Sequence, residues 1–191
     1  MSDLINSHKI AIIGGKSEQL AAELGVAPSE LESCDLALFL VSANEGIVSA
    51  DLERWRLARD LYIPSLVIIC DLGSSEIDFE DMSAIASKML DPVVTPYLVL
   101  HNDEGAPAAL IHLESLQVID YSDGKKVLRS ADAEHIELVA EFRTEYLEAL
   151  EDAGEDSFSA GLLFPALAWI EGTRIGLDQI IDFLNHVPII R

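Results

Sequence analysis

Short, continuous runs of apolar residues recur along the chain and predict the strands of a buried sheet. The clearest runs cover residues 9–13, 36–41, 66–70 and 161–168. Each run is too short for a typical helix and lacks the alternation of polar and apolar residues that marks a half-exposed strand. Continuous apolar strands are typical of parallel sheets whose two faces are both covered by helices, so the pattern predicts an α/β fold.

Helical periodicity appears between these runs. Leu52, Trp55 and Ala58 fall on one face of a predicted helix over residues 49–61, which joins the second run to the third. This strand–helix–strand order predicts two parallel neighbouring strands joined by a right-handed crossover. Shorter helices are predicted over residues 18–24, 77–89 and 177–187.

The pattern changes between residues 91 and 159. Short strand-like runs, separated by Asn, Asp and Gly residues typical of hairpins, lie at residues 93–100, 108–113, 116–121 and 126–128. One long helix is then predicted over residues 133–153, with Ile136 and Tyr146 on its inner face and an acidic outer face. We therefore expect an α/β core made of residues 1–90 and 160–191, and an insertion, residues 91–159, that holds antiparallel strands and the long helix.

The composition excludes several classes of function. The chain has 191 residues, of which 34 are acidic and 12 are basic, so its formal net charge is −22. Such a surface repels phosphates, which argues against direct contact with DNA or with an anionic membrane. Hydrophobic residues make up 50% of the chain, which is enough for a packed core. No apolar run approaches the roughly 20 residues of a membrane span and the start lacks a signal-peptide profile, so we expect a cytoplasmic protein.

Metal and thiol chemistry find little support in the sequence. The five histidines are scattered without the spacing of a metal site, and the two cysteines are too few for a disulfide framework. Cys70 ends a predicted strand, where a reactive thiol is conceivable, but the neighbouring Asp71 favours a raised pKa and a core role. We predict no catalytic residue and no metal site.

The stretch from Asp35 to Ile47, DLALFLVSANEGI, is followed by a helix containing Trp55 and by a strand led by Pro64. This order resembles the G domain of bacterial elongation factor G and its relatives. The insertion is similar to the G′ subdomain of that family, above all over residues 109–124, and residues 176–184 resemble its last G-domain helix. The resemblance implies a three-layer, P-loop GTPase-like fold with a mostly parallel sheet and a small α+β insertion. For an intact member it also implies GTP and Mg²⁺ as cofactors.

A P-loop has the pattern Gly-x-x-x-x-Gly-Lys-Ser/Thr because its backbone amides curl around phosphates while the Lys reaches the outer phosphates. Here Gly15, Lys16 and Ser17 follow a predicted strand and match the end of the motif. The first glycine falls at position 10, which is Ile10, inside the strand. The sequence therefore predicts a vestigial P-loop without the curl.

The guanine pocket that the resemblance implies is also altered. The family's Asn-Lys-x-Asp motif corresponds to Cys70, Asp71, Leu72 and Gly73, so a glycine replaces the carboxylate that reads the base. The Ser-Ala loop that completes the pocket corresponds to Leu167 and Ala168. Because hydrogen bonds to a charged group contribute about 1.5–3 kcal/mol, these changes remove most discrimination for guanine.

The switch regions of the family have no room in this chain. Only 17 residues separate Ser17 from Asp35, where the family carries both switches and two strands. We therefore predict a trimmed sheet, with the first strand placed beside the strand at residues 36–41, and no GTPase activity.

The leading hypothesis is a degenerate, elongation factor G-like G domain that binds a protein partner and needs no cofactor. The resemblance implies a translation-associated, ribosome-related role, through the hairpins at residues 93–128 and the helix at residues 133–153. One alternative is a GTP-binding elongation factor-type GTPase that uses Lys16 and Ser17 in a shortened loop. Another is a self-associating module, a homodimer, because a sheet that has lost two strands should expose an edge.

Overall fold

The computed structural model describes residues 8–73, 76–154 and 156–187. In chain order, the strands of this described part are β1 (Ile10–Ile13), β2 (Leu36–Ser42), β3 (Ser65–Cys70), β4 (Val93–Val94), β5 (Tyr97–His101), β6 (Pro107–His112), β7 (Gln117–Asp120), β8 (Val127–Ser130) and β9 (Phe164–Ala168). The helices are α1 (Ser17–Leu24), α2 (Ser49–Asp60), α3 (Phe79–Met89), α4 (Ala133–Leu138), α5 (Ala140–Ala153) and α6 (Leu177–Leu184).

A parallel sheet in the order β1-β2-β3-β9-β4 forms the centre of the molecule. Alternate side chains of β2 point to opposite faces: Phe39 packs in the cluster that holds Trp55 of α2 and Met82 of α3, and Leu38 packs in the cluster that holds Leu20 of α1 and Ile180 of α6. The sheet is thus the middle of three layers. The predicted α/β fold is confirmed, as is the parallel pairing of β2 with both β3 and β1.

Trp55 fixes α2 on the sheet. Its indole is 2% exposed and makes edge-to-face contacts with Phe39, at 4.9 Å between ring centroids, and with Phe164 of β9, at 5.1 Å. The indole N–H donates to Asp91 Oδ2 over 2.7 Å, and Arg59 binds the same oxygen at 3.2 Å. Aromatic contacts and a shared carboxylate therefore join α2 to the chain that follows α3.

The exposed sheet edge that the sequence predicts is not assigned to a strand. At the β1 edge of the parallel sheet, the residues of the strand are 0–9% exposed. The chain after α1 runs along this strand: the Ser29 amide donates to the Ile10 carbonyl over 2.8 Å, and Leu31 packs into the core. The connecting segment therefore covers this edge of the sheet, and the homodimer stays a prediction.

A second, antiparallel sheet has the order β5-β6-β7-β8 and shares a hydrophobic core with Tyr146 of α5. The run at residues 93–100, expected as one strand, is divided: β4 pairs with β9 in the parallel sheet, and β5 begins the antiparallel one. The division falls at Thr95 and Pro96, and the Pro96 carbonyl accepts the Leu113 amide over 2.9 Å. Proline cannot donate to a ladder, which suits a position between two sheets.

The long helix expected over residues 133–153 is interrupted. Val139 lies between α4 and α5 with φ −97° and ψ 2° and is 1% exposed. Ile136, expected on the inner face, is 42% exposed, and α4 has no buried residue. Within the described residues, no helix is both long and apolar enough to cross a membrane.

Candidate functional site

The carboxyl ends of β1, β2, β3 and β9 meet at one edge of the parallel sheet. Ligands of open α/β sheets usually bind at this edge. The chain leaving the four strands brings Lys16, Ser42, Asp71 and Glu171 together there. These four side chains form what we call the edge cluster.

The connection from β1 to α1 is a tight turn of residues 14–16. Gly14 has φ +121°, and a Cβ at this position would lie 2.6 Å from the Leu40 carbonyl oxygen, so the turn needs glycine. The Ser17 amide donates back to the Gly14 carbonyl over 3.3 Å. This hydrogen bond closes the turn before α1 begins.

Lys16 lies between two carboxylates. Its Nζ is 2.7 Å from Asp71 Oδ1 and 2.7 Å from Glu171 Oε2. The Ser42 hydroxyl donates to the other oxygen of Asp71 over 2.6 Å. Asp71 has φ 65°, a left-handed backbone conformation that is uncommon for a residue other than glycine, and these contacts hold its side chain in place.

The contacts of the edge cluster shift its pKa values in the directions that keep the ions charged. Hydrogen bonds to Asp71 and Glu171 raise the pKa of Lys16, against the effect of burial. Burial alone would raise the pKa of Asp71, but hydrogen bonds from Lys16 and Ser42 and the lysine charge lower it on balance. Lys16 and Asp71 are therefore both ionised at neutral pH.

Cys70 adjoins the edge cluster but lies in the core. The side chain is 3% exposed, and its Sγ is 3.6 Å from the Val41 carbonyl oxygen. Burial first, and the neighbouring Asp71 charge second, raise the pKa of the thiol to about 12. The thiol is protonated at neutral pH, which is the state of an unreactive cysteine.

A cavity of about 190 Å³ opens beside the edge cluster. Its lining includes Lys16, Cys70, Asp71, Gly73 and Glu171. Typical small-molecule pockets measure about 300–1,000 Å³, so this cavity is small for a ligand.

The other sequence-predicted positions lie apart from this cavity. Leu167 and Ala168 are buried within β9, with Ala168 in register with Ile69 of β3. Gly15 lies in the turn before α1, where a Cβ would be 3.8 Å from a Glu45 carboxylate oxygen, and Ser17 is the first residue of α1. The structure thus joins Lys16 to the predicted positions Cys70, Asp71 and Gly73, and leaves Leu167 and Ala168 inside the strand.

Sequence reasoning missed Glu171, Ser42 and a further acidic residue, Glu23. Glu23 accepts the Trp169 indole N–H over 3.0 Å and the Gly172 amide over 2.7 Å. Glu171 follows the last predicted strand just as Asp71 follows the third, so inspection of every strand end would have found it. Among the described residues, no group of three or more His, Cys, Asp or Glu side chains is placed to hold a metal ion.

Comparison with known proteins relates the chain to an elongation factor G-like protein. No protein-family model matches it. The chain is 27% identical over 133 residues to the elongation factor G-like protein of Mycobacterium tuberculosis, in two strains of that organism. This match covers 70% of the chain and 18% of the relative, so the chain corresponds to less than a fifth of the length of these curated relatives.

The fold is found in a longer protein of known structure. A crystal structure of a protein from Thermus thermophilus superimposes with a TM-score of 0.70 and 24% sequence identity, over 83% of this chain and 27% of that one. This likeness shows the fold alone. The resemblance predicted from the sequence is confirmed, and the two comparisons together support an elongation factor G-like G domain.

Proposed function

We propose that the chain is a cytoplasmic, translation-associated binding module in which an internal ion-pair cluster has replaced nucleotide chemistry. The observation that carries this proposal is the position of Lys16, held at 2.7 Å from both Asp71 and Glu171. In the family that the chain resembles, the matching lysine serves the phosphates. Here the lysine serves carboxylates of its own chain.

The charges of the edge cluster and its surroundings disfavour the binding of a triphosphate. To contact phosphate, Lys16 would have to leave Asp71, whose side chain is only 15% exposed. Leaving a part-buried group without its partner destabilises the protein, in general by about 1–3 kcal/mol and by more when the group is charged. Glu45 and Glu23 add negative charge near the same turn and the end of β9.

The backbone gives little help to a nucleotide. Phosphate cradles use several amides of a curled loop at a helix N-terminus, and the three-residue turn before α1 is already closed by the bond from Ser17 to Gly14. Gly73 has no carboxylate for guanine, and the Asp71 carboxylate accepts from Lys16 and Ser42. These residues fit GTP with Mg²⁺ poorly.

A binding titration tests the loss of nucleotide chemistry. We expect no saturable binding of a fluorescent GTP analogue with Mg²⁺ at concentrations below about 1 mM, equivalent to about −4 kcal/mol. The protein with Lys16→Ala serves as the matched control, and it should give the same flat titration. Micromolar binding that disappears in Lys16→Ala would overturn the proposal and favour a GTPase with a shortened P-loop.

The surface that supports a protein partner lies on consecutive elements of the antiparallel unit. Val127 and Leu128 of β8, and Leu138 of α4, are 52%, 52% and 65% exposed. Ile136 and Phe142 add further exposed apolar area on α4 and α5. Contiguous exposed apolar surface is typical of interaction sites, and these five side chains lie between residues 127 and 142 of the sequence. The name of the curated relatives supports a translation-associated partner.

Co-sedimentation with ribosomes tests the partner. We expect the wild-type chain to pellet with ribosomes, and we expect the Leu128→Asp and Leu138→Asp variants to stay in the supernatant. Leu162→Asp is the matched control, because Leu162 is also exposed, at 57%, but lies in the turn before β9. A wild-type chain that never pellets, or an equal loss in Leu162→Asp, would contradict the proposed surface.

A further inference from the structure

A large apolar cavity lies far from the edge cluster. It has a volume of about 680 Å³ and is enclosed by the start of β5, the end of β6, α5, the turn before β9 and the end of α6. Val94 and Pro165 place it at the amino-terminal end of β9, whereas the edge cluster follows the carboxyl end of that strand. The volume falls within the range of about 300–1,000 Å³ that is typical of small-molecule sites.

Aromatic side chains form the walls of this cavity. The Tyr97 and His112 rings lie 4.7 Å apart and are nearly parallel, with 31° between their planes. On another wall, Phe158 and Phe183 meet edge-to-face at 5.2 Å. Tyr146 is 8% exposed and closes the interior. The faces of aromatic rings carry partial negative charge and attract cations.

Three exposed carboxylates surround the mouth of the cavity, each on a different element. Glu114 follows β6, Glu151 lies on α5 and Asp182 lies on α6. Among the residues that the structure describes, those that line the cavity include no Lys or Arg. In the described part of the chain, none of the three carboxylates forms an ion pair.

The negative charge of these carboxylates acts on the pKa values of Tyr97 and His112. Burial first, and then the charges of Asp182 and Glu114, raise the pKa of Tyr97. Burial lowers the pKa of His112 more than Glu114 raises it, so this imidazole is uncharged at neutral pH. A ligand in the cavity therefore meets an apolar interior and a negative mouth.

We propose that this cavity binds a small organic cation, an amine or guanidinium attached to an apolar body. The apolar body lies between the Tyr97 and Phe183 walls, and the cationic group faces Glu114 and Asp182 at the mouth. This geometry favours a cation over an anion of the same shape, because the described part of the lining holds three carboxylates and neither lysine nor arginine. Binding of a cation in this cavity is independent of whether the edge cluster binds a nucleotide.

Three probes with the same phenyl body and different charge test the proposal: phenethylamine, phenethyl alcohol and hydrocinnamate. Each is titrated at neutral pH into the isotopically labelled full chain, and the amide resonances of Tyr97, Tyr146 and Phe183 are followed by NMR. We expect saturable shifts at these amides for the amine, weaker binding of the alcohol and the weakest binding of the anion. Equal binding of all three probes would overturn the selectivity for a cation.

Removal of the mouth carboxylates identifies the source of the selectivity. We expect the Glu114→Gln Asp182→Asn double variant to bind the amine about tenfold more weakly, because it loses two exposed ion contacts to the cation. Glu148→Gln is the matched control, because Glu148 lies on α5 outside the cavity, and its affinity should equal that of the wild type. Well-dispersed amide spectra establish that each variant is folded.

Two outcomes contradict the assignment. Unchanged affinity of the double variant for the amine would show that the carboxylates do not recognise the cation. Binding of an arginine-containing peptide at these amides, with no binding of phenethylamine, would assign the cavity to a protein partner and overturn the proposal for a small ligand.

Discussion

Asp71 combines a left-handed backbone, a hydrogen bond from Ser42 and an ion pair with Lys16. Its pKa is lowered in the folded chain even though burial acts in the opposite direction. A carboxyl group whose pKa is lower in the folded than in the unfolded state stabilises the fold above its unfolded pKa, and this stabilisation is lost as the pH falls through the folded pKa. The edge cluster therefore contributes an acid-sensitive part of the stability.

Substitution of Asp71 by Asn tests this contribution. Asn tolerates the left-handed backbone, so the variant changes mainly the charge. We expect the free energy of unfolding, measured by urea denaturation, to be lower in Asp71→Asn than in the wild type at neutral pH. The difference should shrink as the pH falls below the ordinary range of aspartate pKa values, because the wild-type carboxylate then also loses its charge.

Asp103→Asn is the matched control, because Asp103 is exposed in the turn between β5 and β6. A difference between Asp71→Asn and the wild type that stays constant down to acidic pH would argue against an ionised Asp71 in the folded chain.

At the scale of single residues, the sequence identified two of the four residues of the edge cluster, Lys16 and Asp71, but not their pairing. Lys16 was predicted as a site residue because it lies in the remnant of the P-loop, and Asp71 because it lies at the position of the Asn-Lys-x-Asp motif. Their ion pair forms because the sheet brings the ends of β1 and β3 together. Glu171 lies 155 positions after Lys16 in the sequence and contacts it because β9 ends at the same edge. A pattern along the chain carries no information about this distance until the sheet order is known.

At the scale of the secondary-structure elements, α6 is attached to the sheet through a very close backbone contact. Gly176 immediately precedes α6 and has φ +86°. A Cβ at this position would lie 1.7 Å from the Ala168 carbonyl oxygen at the end of β9. Because backbone atoms cannot move aside cheaply, this contact fixes where α6 begins and how closely it approaches the sheet.

Gly176→Ala should therefore be much more disruptive than an ordinary glycine substitution. We expect a loss of more than about 3 kcal/mol in the free energy of unfolding, or failure to fold, because the new methyl group displaces β9 or α6. Gly172→Ala is the matched control: Gly172 also has a positive φ, +74°, but a Cβ there would meet nothing within 4 Å.

The control should lose only about 1 kcal/mol, the cost of the backbone conformation for an L-residue. Circular dichroism during urea denaturation measures both variants. Equal losses would show that the positive φ, and not the contact with Ala168, makes glycine necessary at position 176.

Four strands of the parallel sheet, β1, β2, β3 and β9, were predictable because continuous apolar runs of this length have few alternatives in a chain of this composition. The β2–α2–β3 unit is local in sequence, and its pattern determined both its elements and their parallel pairing. The division of residues 93–100 between two sheets and the interruption at Val139 were not predictable. Both depend on contacts with distant parts of the chain, such as β9 and the second sheet.

At the scale of the whole molecule, the net charge of −22 is distributed over a chain of 20.8 kDa. Self-repulsion of this charge opposes the compact state. Added salt screens repulsion between exposed charges, and it weakens exposed ion pairs as well. With 34 acidic and 12 basic side chains, repulsive pairs outnumber attractive ones, so screening should stabilise the fold.

Thermal unfolding at different salt concentrations tests this balance. We expect the Tm to rise by about 2–4 °C, the equivalent of about 1 kcal/mol, when the ionic strength increases from about 0.01 M to about 0.15 M. Sucrose at the same osmolality separates screening from solute exclusion, because sucrose carries no charge. A Tm that falls with salt would show that the ion pairs outweigh the repulsion.

The segment between α1 and β2 affects how copies of the molecule can associate with one another. An open sheet edge is a template for strands of neighbouring molecules, and it is a common starting point for aggregation. Here the Ile10 carbonyl is already bonded to Ser29, and the covering segment contains Pro28 and the acidic residues Glu30 and Glu32. At the β1 edge, this segment therefore leaves little room for a strand of a neighbouring molecule, and growth of the parallel sheet in that direction ends within the chain.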